Sequence, residues 1–405
     1  MNLTLLHYSA PPVVGGVESV IEHHARLMTN NGHQVQVVAG RGEQFDMNIP
    51  FIHLPLVGSR HVDVIAAKQE LDEGFVSDKF HALSAMIESQ LREYTSKTDI
   101  LIAHNVCSLN KNLALTNALF NLTSSPGFPR LILWHHDLAW TTPRYQNELH
   151  DGHPWELLKT AWKGVTQVTV SEMRQEELCE LMGIDRSQVR VIPNGVDVQK
   201  FFKLEKQTRD FVKRLDLYQA SPLLLLPVRI TPRKNIELAL RVLATLRAHF
   251  PSACLVVTGP LGPHNPANIE YFDRLKALRA DLGISNAVHF LAELTDEYIP
   301  DPVIADFYKL SDALLLPSFE EGFGIPILEA GFSGIPIFCS DIPPLKKLGG
   351  EFANYFSPDE NPETVARMIT GHLSTSTVFR LRADVRSQYT WERVYTMMVA
   401  PLLKV

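Results

Sequence analysis

The sequence predicts an α/β protein of two Rossmann-like domains, and three observations predict it. Short apolar runs alternate with amphipathic stretches along nearly the whole chain, the pattern of strands paired in parallel with helices on both faces. At 405 residues the chain is too long for one ordinary core, so two domains are expected. Several apolar runs end in glycine or polar loops, and in a doubly wound sheet such ends share one ligand-binding crevice.

Composition narrows the function. Hydrophobic content of 45% and charged content of 20% are those of a globular protein. A net charge of −7 offers no basic patch for nucleic acid. The start, MNLTLLHYSAPPVVGG, lacks a charged segment followed by a long apolar core, so it does not read as a signal peptide. No run approaches the roughly 18 apolar residues of a membrane span. Peripheral membrane contact is not supported, because Asp63–Lys97 carries mixed charge with acids prominent. Cys107, Cys179, Cys254 and Cys339 lie far apart and read as reduced, buried thiols of a cytoplasmic protein, without zinc-site spacing.

In chain order, Leu3–Tyr8 is the first strand and Ala10–Gly16 a loop ending in a glycine pair. Val17–Asn30 is a helix, since Val17, Val20, Ile21, His24, Leu27 and Met28 recur at helical spacing. Gln34–Ala39 and Ile49–Leu56 are strands, and a polar, helix-favouring region follows to Lys97. Asp99–Ala103 is a strand ending at His104-Asn105, Asn112–Leu122 a helix, and Arg130–Trp134 a strand ending at His135-His136-Asp137. Gly164–Val170, the helix Glu172–Met182 and Val189–Ile192 lead to the turn Pro193-Asn194-Gly195-Val196-Asp197, where the domain junction is placed. Gly15-Gly16, His104-Asn105 and His135-His136-Asp137 thus come to one crevice. A carboxylate beside imidazole can fix its tautomer, and Trp140, Tyr145 and Trp155 offer flat faces for a sugar ring. The competing reading is a surface loop with its aromatics tucked into the core. A metal site lacks a further ligand pattern.

The second half repeats the alternation. Phe201–Leu217 reads as helical, and Leu223–Val228 as a strand whose Pro227 indicates an end or edge position. Arg229 and Lys234 flank the following loop, where cations can neutralise phosphate oxygens. A helix to Phe250, strand Cys254–Thr258 ending at Gly259, helix Ile269–Leu282, strand Val288–Leu291 before Leu294, and helix Ile304–Leu310 follow. Then comes ALLLPSFEEGFGIPILEAGFSGIPIFC at 313–339. It reads as strand, glycine-rich turn, helix opening at Pro326, and strand, an arrangement that presents free N–H groups to phosphate. Glu321 on the loop and Glu329 on the first turn of the helix would repel phosphate unless they reach hydroxyls beyond it. A diphosphate with a polyol at each end, as in a nucleotide sugar, fits. Leu381–Pro401 is a closing helix.

The motifs GGVE (15–18), PNGVD (193–197), the Arg229/Lys234 pair and EEGFGIPILEA (320–330) occur in that order over nearly the whole chain. In them the sequence resembles the retaining GT-B glycosyltransferases of family 4 (glycosyl transferases group 1). The resemblance implies two Rossmann-like domains facing across a cleft: 1–198 on the acceptor side, 199–385 holding the nucleotide sugar, and 386–405, with YTWERV, crossing back as a helix. It implies that Arg229 and Lys234 bind the diphosphate, Glu321 the transferred sugar and Glu329 the ribose. The backbone of Gly322, Phe323, Gly324 and Ile325 meets sugar and phosphates. Gly16, with Gly15, reaches the β-phosphate, Leu294 contacts the base, and Gly259 belongs with the donor contacts. The family's strand-end histidine corresponds to His135 or His136. Asp137 and Tyr145 go with the acceptor, Asp137 alternatively as a structural partner of the histidine.

The implied reaction moves a hexose from a UDP- or GDP-linked sugar to a hydroxyl acceptor with retention. It needs no metal or other cofactor, and no Asp-x-Asp motif occurs in the chain. Two alternatives stand beside it. One is a sugar-nucleotide epimerase or an inverting GT-B transferase, with His136-Asp137 as base, although the Glu321/Glu329 spacing speaks against it. The other is a catalytically silent nucleotide-sugar-binding subunit. A dinucleotide oxidoreductase would need a Gly-x-Gly-x-x-Gly that neither half contains.

Overall fold

The computed structural model describes residues 1–261, 266–295 and 297–404. The chain divides into two compact units, Met1–Gly195 together with the segment from Trp391 onward, and Val196–Thr390.

The first unit is built on β1 (Asn2–His7), β2 (Gln34–Ala39), β3 (Phe51–His53), β4 (Ile100–His104), β5 (Arg130–His135), β6 (Thr166–Thr169) and β7 (Val189–Val191). They form a parallel sheet in the order β3-β2-β1-β4-β5-β6-β7. Strands covered on both faces become near-continuous apolar runs, and LTLLH and ILIAH are buried throughout. The order turns between β1 and β4, so the loops after these strands open the crevice where such sheets bind ligands.

The second unit repeats the plan with β8 (Leu223–Leu226), β9 (Cys254–Val257), β10 (Val288–Phe290), β11 (Ala313–Leu316), β12 (Ile337–Ser340) and β13 (Asn354–Phe356). The order is β10-β9-β8-β11-β12-β13, again parallel, and it turns between β8 and β11. All four leucines of β8 and all residues of β11 are buried in the main core of this unit. Pro227 follows the last residue of β8, which is a central strand; the proline takes an end position and removes no ladder hydrogen bond.

Several elements differ from their sequence reading. Ile49–Leu56 keeps only three strand residues, because Pro55 opens a short 3₁₀ turn. Phe201–Leu217 is two helices, Val198–Phe202 and Lys206–Arg214, separated by Lys203 in the left-handed region. The helix at Pro326 begins one residue earlier, at Ile325, which places Glu329 in its second turn. Cys254 is half-buried rather than buried, and all four cysteines are free.

The largest difference is at the end of the chain. Instead of one closing helix from Leu381, Thr377–Gln388 is a helix of the second unit, and Trp391–Val394 starts a new one in the first. The break lies at Tyr389-Thr390. There the Tyr389 carbonyl accepts the Val196 N–H at 2.6 Å, and Val196 bridges Thr390 in parallel. After the break, Val394, Tyr395, Val399, Leu402 and Leu403 join the core formed by β1, β2 and the helix Gly16–Asn30. Among the described residues, no helix is long and apolar enough to cross a membrane.

Candidate active site

In the second unit, the loops after β8 and β11 meet at the switch point. Lys234 ends a short 3₁₀ helix, Pro232–Lys234, and its Nζ lies 2.5 Å from Glu321 Oε1. Both side chains are only 8% exposed. The buried Ser318 hydroxyl donates to the same oxygen at 2.8 Å. Burial lowers the pKa of Lys234, and the adjoining Glu321 carboxylate opposes that shift. The two loops are also joined along their backbones, the Phe319 N–H donating to the Arg233 carbonyl at 2.9 Å.

Gly324 starts the next helix, Ile325–Ser333, at φ 103°, a left-handed conformation that favours glycine. No side chain caps this helix; Pro326 has no N–H and the Ile327 N–H donates to the Gly324 carbonyl at 3.0 Å, which leaves the Gly324 and Ile325 N–H groups for an anion. Gly322, Phe323 and Ile325 are exposed around it. Glu329 is exposed and accepts a 2.6 Å hydrogen bond from Tyr308 on the preceding helix, Asp301–Leu310. Arg229 is exposed, with no ion-pair partner among the described residues. Gly259 follows β9 where a Cβ would lie 1.9 Å from the Val228 carbonyl oxygen, so backbone packing already requires glycine there. Leu294 closes the 3₁₀ turn Leu291–Glu293 and packs partly against the core.

In the first unit, Gly15 precedes and Gly16 begins the helix Gly16–Asn30, again without a side-chain cap. The two adjacent histidines separate. His135 is the last residue of β5, 1% exposed, and its Nε2–H donates to Gln167 Oε1 at 2.7 Å. His136 is half-buried, with Nε2 3.2 Å from Nδ1 of the buried His104. Asp137 accepts from Asn105 Nδ2 at 3.2 Å. Burial lowers the pKa of His135 to about 4 and of His136 to about 3, so both rings are neutral near pH 7.

A family model for glycosyl transferases group 1 matches residues 207–388, and one for glycosyltransferase family 4 matches residues 14–200. The chain belongs to the family 4 glycosyltransferases. The mannosylglucosylglycerate synthase of Petrotoga mobilis is 26% identical to it over 370 residues, 86% of this chain and 84% of that protein. The MMP alpha-(1->4)-mannosyltransferase of Mycolicibacterium hassiacum is 25% identical over 440 aligned positions, covering 99% and 97%. A solved glycosyltransferase from Rickettsia africae ESF-5 aligns over 100% of this chain and 98% of its own, at 16% identity and a TM-score of 0.39.

The candidate site contains two partners that the sequence reading missed, Ser318 and Tyr308, and two that it named only as a polar strand end, His104 and Asn105. Ser318 and Tyr308 hold the two glutamates, and His104 and Asn105 hold the turn at His136-Asp137. The polar end of the β4 run was the only signal for His104 and Asn105; Tyr308 lies within an ordinary amphipathic helix. The aromatic loop divides. Trp155 is buried in the core and offers no face to a sugar, whereas Trp140 and Tyr145 are half-buried, with Lys159 over the Trp140 ring and Arg144 over Tyr145.

Proposed function

We propose that this glycosyltransferase moves a hexose from a UDP- or GDP-linked sugar to a hydroxyl of a small sugar or glycoside, with retention and without a metal. The observation that carries this reading is the Lys234–Glu321–Ser318 cluster beside the uncapped helix start at Gly324. A cation, a carboxylate and free N–H groups in one crevice suit a diphosphate joined to a polyol. In this reading the bond between C1 and the phosphate oxygen breaks as the acceptor oxygen bonds to C1 from the same face. The acceptor's proton passes to the departing phosphate. Arg229, Lys234 and the helix start stabilise the charge that grows on the diphosphate, Glu321 holds sugar hydroxyls and Glu329 the ribose. Side-chain cations take the part a divalent ion would play. His136, the half-exposed member of the pair, serves as the strand-end ligand contact, and the reaction proceeds in the cytoplasm.

The Mycolicibacterium hassiacum relative is named a mannosyltransferase and the Petrotoga mobilis relative the synthase of a mannosylated product, so a mannosyl nucleotide heads the donors to test. The experiment is nucleotide release from a panel of UDP- and GDP-sugars, with and without sugar and glycoside acceptors, followed by NMR of the product's anomeric linkage. Acceptor-dependent release from one donor and an α-linked product from an α-donor are expected. A β-linked product would overturn retention. Tight nucleotide-sugar binding with no transfer to any acceptor would favour the silent binding subunit.

A further inference from the structure

The loop after β5 is held from the neighbouring strand at two points. Asn105, at φ 58°, turns its side chain back so that Oδ1 accepts from the His136 N–H at 2.7 Å and the Asp137 N–H at 3.0 Å. One residue earlier, the His104 ring packs on Trp134 with centroids 5.4 Å apart and places Nδ1 3.2 Å from His136 Nε2. His104 is itself tied to β1, since His7 Nδ1–H donates to the His104 carbonyl at 2.7 Å. Backbone and ring of His136 are therefore both positioned by the dipeptide His104-Asn105.

We infer that His104 is a positioning residue: its Nδ1–H donates to His136 Nε2 and so holds His136 as the Nδ1–H tautomer, with that N–H free to donate to a bound ligand. Burial keeps both rings neutral, so one ring donates and the other accepts. If His136 donated, His104 would carry its proton on Nε2, a buried atom with no hydrogen-bond partner among the described residues. A buried N–H without an acceptor costs more than a bare ring lone pair in the same place. With His104 donating, the unpartnered Nε2 is only that lone pair. His136 Nδ1, which has no partner among the described residues, then carries the proton. The consequence is chemical: His136 gives a hydrogen bond to an oxygen of the donor or acceptor and does not take a proton from one. This inference rests on the assignment of His136, rather than His135, to the ligand side.

The test is long-range ¹H–¹⁵N NMR of the full-length protein labelled in its histidines, with His136→Gln used to assign the His136 signals. Wild type is expected to show a protonated Nδ1 and a bare Nε2 at His136. His104→Asn, whose amide nitrogen can occupy the place of Nδ1, should keep that pattern. His104→Phe, which keeps a ring on Trp134 and removes the donor, should move the proton on His136 toward Nε2. In the same variant kcat for nucleotide release from UDP-glucose or GDP-mannose should fall about tenfold with little change in KM. A wild-type His136 protonated on Nε2 overturns the inference, as does a His104→Phe protein with unchanged His136 shifts and kcat. If His104→Phe fails to fold, the wild-type and His104→Asn spectra still decide. Wild-type turnover in His136→Gln would instead remove the proposed ligand contact and leave the tautomer result standing.

Discussion

Glu321 is engaged by both Lys234 and Ser318, which changes how it should be probed. Glu321→Ala leaves the Lys234 ammonium buried without its counter-charge, a loss of about 3 kcal/mol, so stability and catalysis would fall together. Glu321→Gln keeps an oxygen for both neighbours and removes only the charge. Its turnover is expected to fall about 100-fold or more while the melting temperature moves much less than that of the alanine variant. Steady-state kinetics beside a thermal melt separate the two effects, and wild-type-like turnover of the glutamine variant would remove the main support for this site. The glutamates themselves were readable from their spacing around a glycine loop. Ser318 and Tyr308 were not, because Tyr308 reaches Glu329 from another helix and no local pattern marks that meeting.

The helix that opens at Gly324 depends on that residue's backbone. Alanine there would have to hold φ 103° with its Cβ 2.7 Å from Leu345 Cδ2. Gly324→Ala is expected to cost about 1–2 kcal/mol for the left-handed conformation alone, and to weaken donor binding because the helix start moves. Urea denaturation and the donor KM read the two effects. At this scale most strands were legible, since buried parallel strands are apolar runs closed by breakers. The choice between His135 and His136 was not: β5 is covered on both faces, so polar alternation does not show which side chain points inward. The break at Tyr389-Thr390 was hidden too. It contains neither glycine nor proline, and apolar residues recur beyond it; the Val196 contact that produces it comes from far along the chain.

On the scale of the whole molecule, the two units carry different liabilities. In the first, burial depresses His7 and His135 to about 4 and His24 and His136 to about 3, against an ordinary value of 6.5. Between those values and 6.5 the unfolded chain binds more protons than the folded one, so stability is lost as pH falls through that window. The slope is about 1.4 kcal/mol per pH unit for each such histidine. Melting curves from pH 7.5 to 4.5 should show the first unit failing early, and a flat profile would contradict the neutral cluster. Trp391, 5% exposed, stacks on His23 and meets His24 edge-on. Trp391→Ala is expected to destabilise the first unit by about 3–5 kcal/mol, read as an earlier phase in urea unfolding with the second unit's phase unmoved. Because that tryptophan follows the second unit in the chain, the first unit cannot be finished when its own 195 leading residues leave the ribosome. At 5–20 residues per second, translation of the intervening unit takes about 10–40 s. Throughout that interval the first unit lacks the ring that packs on His23 and His24.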